Sequence, residues 1–332
     1  MPANLTLQYL QAEERYKAAK THEERVAALE EMIRELPKHK HTEKMFADLK
    51  SRRAKLLKEG EARGGGPARH QAEALIKPEG VGQVILLGAP NTGKSALMAA
   101  LTNAPVEVTD YPFATRKAIP GMMRHEDVRV QLVDTPSIAP EFLDPFLMPQ
   151  VHAADAAVLC VDLGAPECLD QPAWVQAALG ESNVELVPGT VETVSKQGSP
   201  RRLPAFVACT HADHPDGPTA LDLLREVMGD ALPFLPVSVN DPASLAAFSK
   251  ACFGLFGLVR VYSKQPGREA DRNDPFLVPI GASVLDFAGK VHRDLRERFG
   301  YARVWGEGKY EGQRVARDYP VRDGDVIELH TA

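Results

Sequence analysis

Apolar positions in the first 60 residues recur at helical spacing. Leu5, Tyr9, Ala12 and Tyr16 share one face. Thr21 and Glu24 have capping-box spacing ahead of a stripe made by Val26, Leu29, Ile33 and Leu36, and Pro37 ends that helix. A third helix is predicted over 42–59, with Phe46, Leu49, Leu56 and Leu57 as its apolar side. The run Gly60-Glu61-Ala62-Arg63-Gly64-Gly65-Gly66-Pro67 then breaks the pattern and reads as a joint. Beyond it, short continuous apolar runs alternate with helical stretches. Strands are predicted over 83–87, 117–123, 128–134, 156–162, 205–210 and 234–238, the pattern of a mostly parallel sheet covered on both faces. Residues 163–204 are poorly patterned. Within them, Val184 with Leu186 and Val191 with Val194 predict a small hairpin.

The last segment changes pattern again. Runs at 258–262 and 276–280 predict paired strands. Ser283 caps a helix carrying Val284, Ala288, Val291, Leu295 and Phe299, closed by Gly300. Two further strands are predicted at 302–305 and 326–329. This is a small sheet gripping one helix. The chain therefore divides into a helical region at 1–66, an α/β domain at 67–257 and a β-rich domain at 258–332.

Composition changes this picture little. At 332 residues, 44% hydrophobic and 25% charged, the chain has the make-up of a globular protein of several domains. No apolar run is long enough to span a bilayer, and no signal peptide is expected at Met1-Pro2-Ala3-Asn4, so no membrane partner is predicted. The four cysteines lack metal-binding spacing, and Cys160 and Cys209 sit in apolar runs, which fits a reducing cytoplasmic setting. Net charge is −6, yet residues 38–69 hold ten Lys/Arg against four Asp/Glu. Such a segment is either a solvated basic face or a contact for an RNA backbone.

The chemistry concentrates at Gly88-Ala89-Pro90-Asn91-Thr92-Gly93-Lys94-Ser95, a phosphate-binding loop set between a buried strand and a helix. Backbone N–H groups from Gly88, Pro90's neighbours, Asn91, Thr92, Gly93, Lys94, Ser95 and Ala96 wrap a phosphate chain in such loops, and the helix N-terminus adds its dipole. Lys94 reaches the β- and γ-phosphates, and the Ser95 hydroxyl binds magnesium (Mg2+). Asp134, ending the run Val130-Gln131-Leu132-Val133, supplies the second Mg2+ anchor. After strand 205–210 stands Thr210-His211-Ala212-Asp213, in the place of an N-K-x-D guanine reader. The Asp213 carboxylate accepts from the N1 and N2 edge of guanine. Thr210 keeps a hydroxyl where Asn steadies the loop, and His211 offers a ring where Lys lies over the base. Ser238-Val239-Asn240 is placed to offer a backbone N–H to the guanine O6.

Together these residues resemble the Obg superfamily of GTPases, most closely its developmentally regulated GTP-binding (DRG) branch, over residues 40–332. Tyr111-Pro112-Phe113-Ala114-Thr115 with Ile119-Pro120-Gly121 is similar to that branch's switch I. Arg260-Val261-Tyr262, Tyr301-Ala302-Arg303-Val304-Trp305-Gly306 and Gly324-Asp325-Val326-Ile327 resemble a TGS domain, a β-grasp module. The resemblance implies a P-loop GTPase fold, binding of GTP and GDP with Mg2+, slow hydrolysis, and association with ribosomes or RNA through the TGS domain and the basic segment. It makes Thr115 the residue that binds Mg2+ and senses the γ-phosphate.

Departures from that family pattern are also on the chain. Ser137 stands where the switch II motif has glycine, and Ile138 comes next, where many GTPases carry a water-orienting Gln. The insertion typical of the DRG branch does not fit in 163–204. Asn91 matches loops of potassium-activated GTPases, where it helps hold K+ in a catalytic role, and it also suits an ordinary loop-stabilising role. Trp305 is expected to anchor the β-grasp core. Lys264, Arg268, Arg293, Arg296 and Arg298 offer the tail an RNA-facing side, with Asp271, Asp274, Asp294 and Glu297 among them. Two alternatives remain open: an RNA or ribosome adaptor with a degenerate GTPase domain, and an ATPase of Obg-related type.

Overall fold

The computed structural model describes residues 7–18, 22–36, 45, 46, 49, 50, 52, 75–104, 118–140, 143–194 and 198–331. The chain forms two compact units, Met1–Leu75 and Ile76–Ala332.

In the first unit, helices α1 (Leu7–Ala18) and α2 (His22–Glu35) pair through Tyr9, Ala12, Leu29, Met32 and Leu36, joined by Leu49. Tyr9, Ala12, Leu29 and Leu36 belong to the apolar stripes read from the sequence, and Met32 joins them. Arg15 reaches Glu31 across the pair at 2.9 Å, an exposed contact worth under about 1 kcal/mol. Most of the third predicted helix, the basic run and the glycine joint lie outside the described residues.

The second unit contains two sheets. Its first elements are β1 (Gln83–Gly88), α3 (Lys94–Leu101), β2 (Ile119–His125), β3 (Val128–Asp134), α4 (Leu147–Ala153), β4 (Ala156–Asp162) and α5 (Gln171–Glu181). They continue with β5 (Val184–Val187), β6 (Arg201–Thr210), α6 (Gly217–Met228), β7 (Phe234–Pro236) and α7 (Pro242–Gly254). The sheet runs β2-β3-β1-β4-β6-β5, with β7 also on β6. All pairs are parallel except β2 with β3.

Alternation along the buried strands divides two cores. Ile85, Leu87, Val133, Leu159, Val161 and Val207 face α4, α5 and α6. Val84, Leu86, Leu132, Val158 and Phe206 face α3 and α7 through Leu97, Met98 and Phe248. Continuous apolar strands are thus explained by helices on both faces. Cys160, Cys168, Cys209 and Cys252 are all buried and free, and burial pushes the Cys160 and Cys209 thiols up to about 12.

The second sheet comprises β8 (Leu258–Lys264), β9 (Phe276–Pro279), α8 (Val284–Val291), α9 (Arg293–Glu297), β10 (Phe299–Trp305), β11 (Gln313–Val315) and β12 (Asp325–Thr331). Its order is β11-β10-β12-β8-β9, with β8 and β12 parallel and the rest antiparallel. Val261, Val278, Val304 and Ile327 clasp Val284 and Phe287 of α8. Ser283 caps α8 in a full capping box with Asp286.

Three sequence expectations change. Val184–Val187 forms no hairpin; it adds an edge strand parallel to β6, and the Val191 amide instead bonds Leu255 O at 2.7 Å. The helix from Ser283 stops at His292, whose backbone is extended and whose ring caps α9, because Phe299 is required in β10. Trp305 is absent from the β-grasp core: it is half-buried on the opposite sheet face, with Lys264 Nζ 4.4 Å above its ring.

Candidate functional site

The carboxyl ends of β1, β3, β4 and β6 gather Gly88, Asp134, Asp162 and Thr210. β1 has β3 on one side and β4 on the other, so the connections diverge around its end. Open parallel sheets form their ligand crevice at such a point.

The loop between β1 and α3 takes its shape from local sterics. A Cβ at Gly88 would stand 2.6 Å from Thr92 Oγ1 and 2.7 Å from Cys160 O, so the strand can end there only as glycine. Gly93 caps α3 with φ +74°, a left-handed conformation. Asn91 is also left-handed at φ +61°, which asparagine tolerates better than most residues. Its backbone is thus a sufficient reason for asparagine at this position.

Lys94 is 4% exposed. Its ammonium donates to Gly88 O at 3.1 Å, Ala89 O at 2.8 Å, Thr92 Oγ1 at 3.3 Å and Ser137 Oγ at 3.2 Å. Three protons are shared among four neutral oxygens. Burial lowers the Lys94 pKa, and nearby Cys160 and Asp134 partly oppose that shift. A desolvated cation so placed gains strongly from an anion.

Ser95 Oγ donates to Asp134 Oδ2 at 2.7 Å, which joins the two residues expected at the metal. Hydroxyl and carboxylate oxygens are the hard donors that Mg2+ takes, alongside phosphate oxygens. Thr135 Oγ1 donates to Leu86 O at 2.6 Å and the Ile138 amide to Gly88 O at 3.0 Å, so the chain leaving β3 is stitched to β1. Ser137 is buried with its hydroxyl on Lys94, and Ile138 is wholly buried in the core. Thr115 lies outside the described residues.

The base-side loops are tied to this centre. Thr210 Oγ1 lies 3.0 Å from Thr92 O and 3.1 Å from Val161 O, bridging the phosphate loop and β4. The hydroxyl therefore performs the steadying role expected of Asn. His211 adopts φ +51°, and its Nδ1 lies 2.6 Å from Asp162 Oδ1, which also accepts from the Gly164 amide at 2.8 Å. The hydrogen bond to Asp162 raises the His211 pKa despite partial burial.

Asp213 is exposed, with Oδ2 accepting from Asn240 Nδ2 at 2.9 Å. Hydrogen bonds from Asn240 and Ser238 hold its carboxyl below the ordinary range. The Ser238 amide is given to Ser244 Oγ at 2.8 Å, and Val239 next to it is exposed. Asp162 was not singled out from sequence, and Asn240 was read there only as part of Ser238-Val239-Asn240, without its side-chain bond to Asp213. Asp162 had a signal, a carboxylate ending an apolar strand run, as Asp134 did.

A phosphate-gripping loop, a strand-end metal anchor and a carboxylate-bearing base loop on one sheet edge define a P-loop GTPase, here with a β-grasp module behind it. Family models agree: residues 83–187 match the 50S ribosome-binding GTPase family and residues 259–331 the TGS domain. An uncharacterized GTP-binding protein of Methanocaldococcus jannaschii is 26% identical, covering 92% of this chain and 92% of that protein. The developmentally-regulated GTP-binding protein 1 of Xenopus laevis is 24% identical, covering 92% of this chain and 98% of its own length. The chain is a GTP-binding GTPase with a C-terminal TGS domain, and over most of its length it is similar to DRG-type proteins of the Obg superfamily. The alignment to the Methanocaldococcus protein spans 365 positions, more than the 332 residues of this chain, so the relative carries residues that this chain lacks. Among solved structures, the YchF GTPase of Schizosaccharomyces pombe superposes with a TM-score of 0.46 at 12% identity, covering 77% of this chain and 99% of that one.

Proposed function

We propose that this chain binds GTP and GDP with Mg2+ at the β1–α3 loop, hydrolyses GTP slowly, and docks on the ribosome or its RNA in the cytoplasm. The observation that carries the reading is the junction of Lys94 and Ser95, at the start of α3, with Asp134 and Ser137, at the end of β3, tethered by Thr210 to the loop bearing Asp213. In this reading Lys94 neutralises the β- and γ-phosphates, and the backbone N–H groups of 88–96, Pro90 excepted, wrap them. Ser95, Asp134 and Thr115 hold Mg2+, which offsets phosphate charge. Asp213 reads guanine N1 and N2, and the Val239 amide meets O6, since the Ser238 amide is already donated. His211 lies against the base.

Slow turnover is expected from Ser137 and Ile138. The first is engaged by Lys94 and the second is buried, so neither is free to orient water. K+ at Asn91 is the remaining candidate for charge stabilisation. Docking is assigned to the TGS domain at 258–332 and the basic segment within 1–66, with 67–257 as the GTPase domain. Lys264 and Arg293 contribute less positive charge than the sequence implied, because Glu328 and Glu297 pair with them.

The test is nucleotide affinity and GTP turnover, with and without ribosomes and in K+ or Na+. GTP should displace labelled GDP far better than ATP does, and ribosomes should raise turnover. Preference for ATP rejects guanine reading, and equal turnover in K+ and Na+ removes the K+ role. Ribosome binding with no nucleotide dependence would favour the adaptor, which the buried Ile138 also suits.

A further inference from the structure

Arg260 opens the TGS sheet on β8, yet it is only 5% exposed. Its side chain is held from two directions. Within the TGS domain, Asp323 accepts from Nη2 at 2.6 Å, from Nε at 3.1 Å and from the Arg260 amide at 2.7 Å. From the GTPase sheet, Asp127 Oδ1 accepts from Nη1 at 2.8 Å, and Glu126 accepts from the same nitrogen. Tyr262, two residues along β8, donates its hydroxyl to the other oxygen of Asp127. Burial raises Asp127, but hydrogen bonds from Tyr262 and Arg260 more than reverse that, leaving its carboxyl below the ordinary range.

Glu126 and Asp127 form the turn of the β2–β3 ribbon. That ribbon is registered from His125↔Val128 at the clamp to Ile119↔Asp134 at the other end. Its seven-residue strand β3 spans about 20 Å. The clamped end is thus joined by one continuous, hydrogen-bonded ribbon to Asp134, Thr135 and Ser137. The turn is also pinned laterally, by His125 stacked on Phe253 at 5.0 Å and bonded to Ser249 at 3.2 Å.

We propose that Arg260, with Tyr262 and Asp127, is a positioning residue for GTP hydrolysis: the TGS domain sets the β2–β3 ribbon and thereby the placement of Asp134 and Ser137. It touches no reacting atom. The inference rests on the reading that Mg2+ and GTP meet at Asp134, and it adds a regulatory consequence. Whatever engages the TGS domain and strains this clamp alters the catalytic end, and nucleotide state is felt at the clamp in return.

The test uses the full chain carrying Arg260→Ala, Asp127→Asn or Tyr262→Phe, with Val278→Ala in the TGS core as the stability control. Single-turnover kcat and the Mg2+ concentration for half-maximal GTP binding are read together. Clamp variants should lose about fivefold to a hundredfold in kcat and need more Mg2+. KM and GDP affinity, which depend on the β1–α3 loop, should change little. Val278→Ala should lower the melting temperature and keep kcat. Wild-type kcat and Mg2+ requirement in the folded clamp variants would overturn the proposal, as would an equal kcat loss in Val278→Ala. If Arg260→Ala does not fold, the milder Tyr262→Phe and Asp127→Asn decide. A wild type that binds GTP without turnover would overturn the hydrolysis reading alone, and the Mg2+ requirement would still test the clamp.

Discussion

Lys94 carries the heaviest electrostatic burden of any single side chain in the site. It is buried among neutral oxygens, so its cation is stabilised most when phosphate supplies counter-charge. Lys94→Ala should reduce GTP affinity by about tenfold to a hundredfold, as loss of charged hydrogen bonds implies, and calorimetric titration measures this. Thr210 acts through one hydroxyl near two carbonyls that belong to different elements. Thr210→Val should cost about 1–3 kcal/mol, read by denaturant unfolding. His211 has a pKa raised above its ordinary 6.5 by Asp162. Its pairing therefore stabilises fully below pH 6.5 and fades as pH rises through the higher folded value. The difference in melting temperature between wild type and His211→Asn should be largest in acid and shrink as pH rises above 6.5.

At the scale of elements, legibility tracked burial on both faces. Ala156–Asp162 was readable because helices cover each side, leaving an unbroken apolar run, and Val128–Asp134 because Val128, Val130 and Leu132 alternate with polar residues. Val184–Val187 misled because its two buried residues sit at the sheet edge, where a short run is equally consistent with a hairpin. The division of one predicted helix into α8 and α9 was hidden because Leu295 and Phe299 continue the helical stripe of α8 while belonging to α9 and β10. Trp305 was misplaced for a related reason: strand alternation puts it opposite Val304, on the face away from α8. The β-grasp core depends most on Phe287, which is fully buried and meets Phe276 edge-on at 5.7 Å. Phe287→Ala should destabilise the TGS domain by about 3–5 kcal/mol, measured by denaturant unfolding.

At the scale of the molecule, the GTPase and TGS sheets meet through carboxylates gathered on Arg260. Burial raises the pKa values of Asp127 and Asp323, yet their hydrogen bonds, with Arg260 common to both, leave them below the ordinary 3.8. A lowered carboxylate contributes stability above its unfolded pKa and loses it as pH falls through the folded value. The carboxylate contribution to contact between the two sheets should thus be lost only below about pH 4, whereas His125 at the same turn, its pKa lowered by burial and Arg260, begins to oppose the folded turn as pH falls below 6.5; hydrogen exchange along β2 and β8 would detect both.

The sequence by itself determined the phosphate-loop motif, the strand-end position of Asp134, the loop position of Asp213 and the order of domain types. Each is encoded by neighbouring residues whose backbone torsions and apolar spacing act locally. Only the tertiary structure decided which groups those residues face. Thr210 meets Thr92 across 118 positions, and Arg260 meets Asp127 across 133. Such pairings depend on strand order, which a local pattern of apolar and polar residues does not specify. The same physics separates the two kinds of knowledge about this protein: torsions mark where phosphate is gripped, and topology links that grip to the TGS domain.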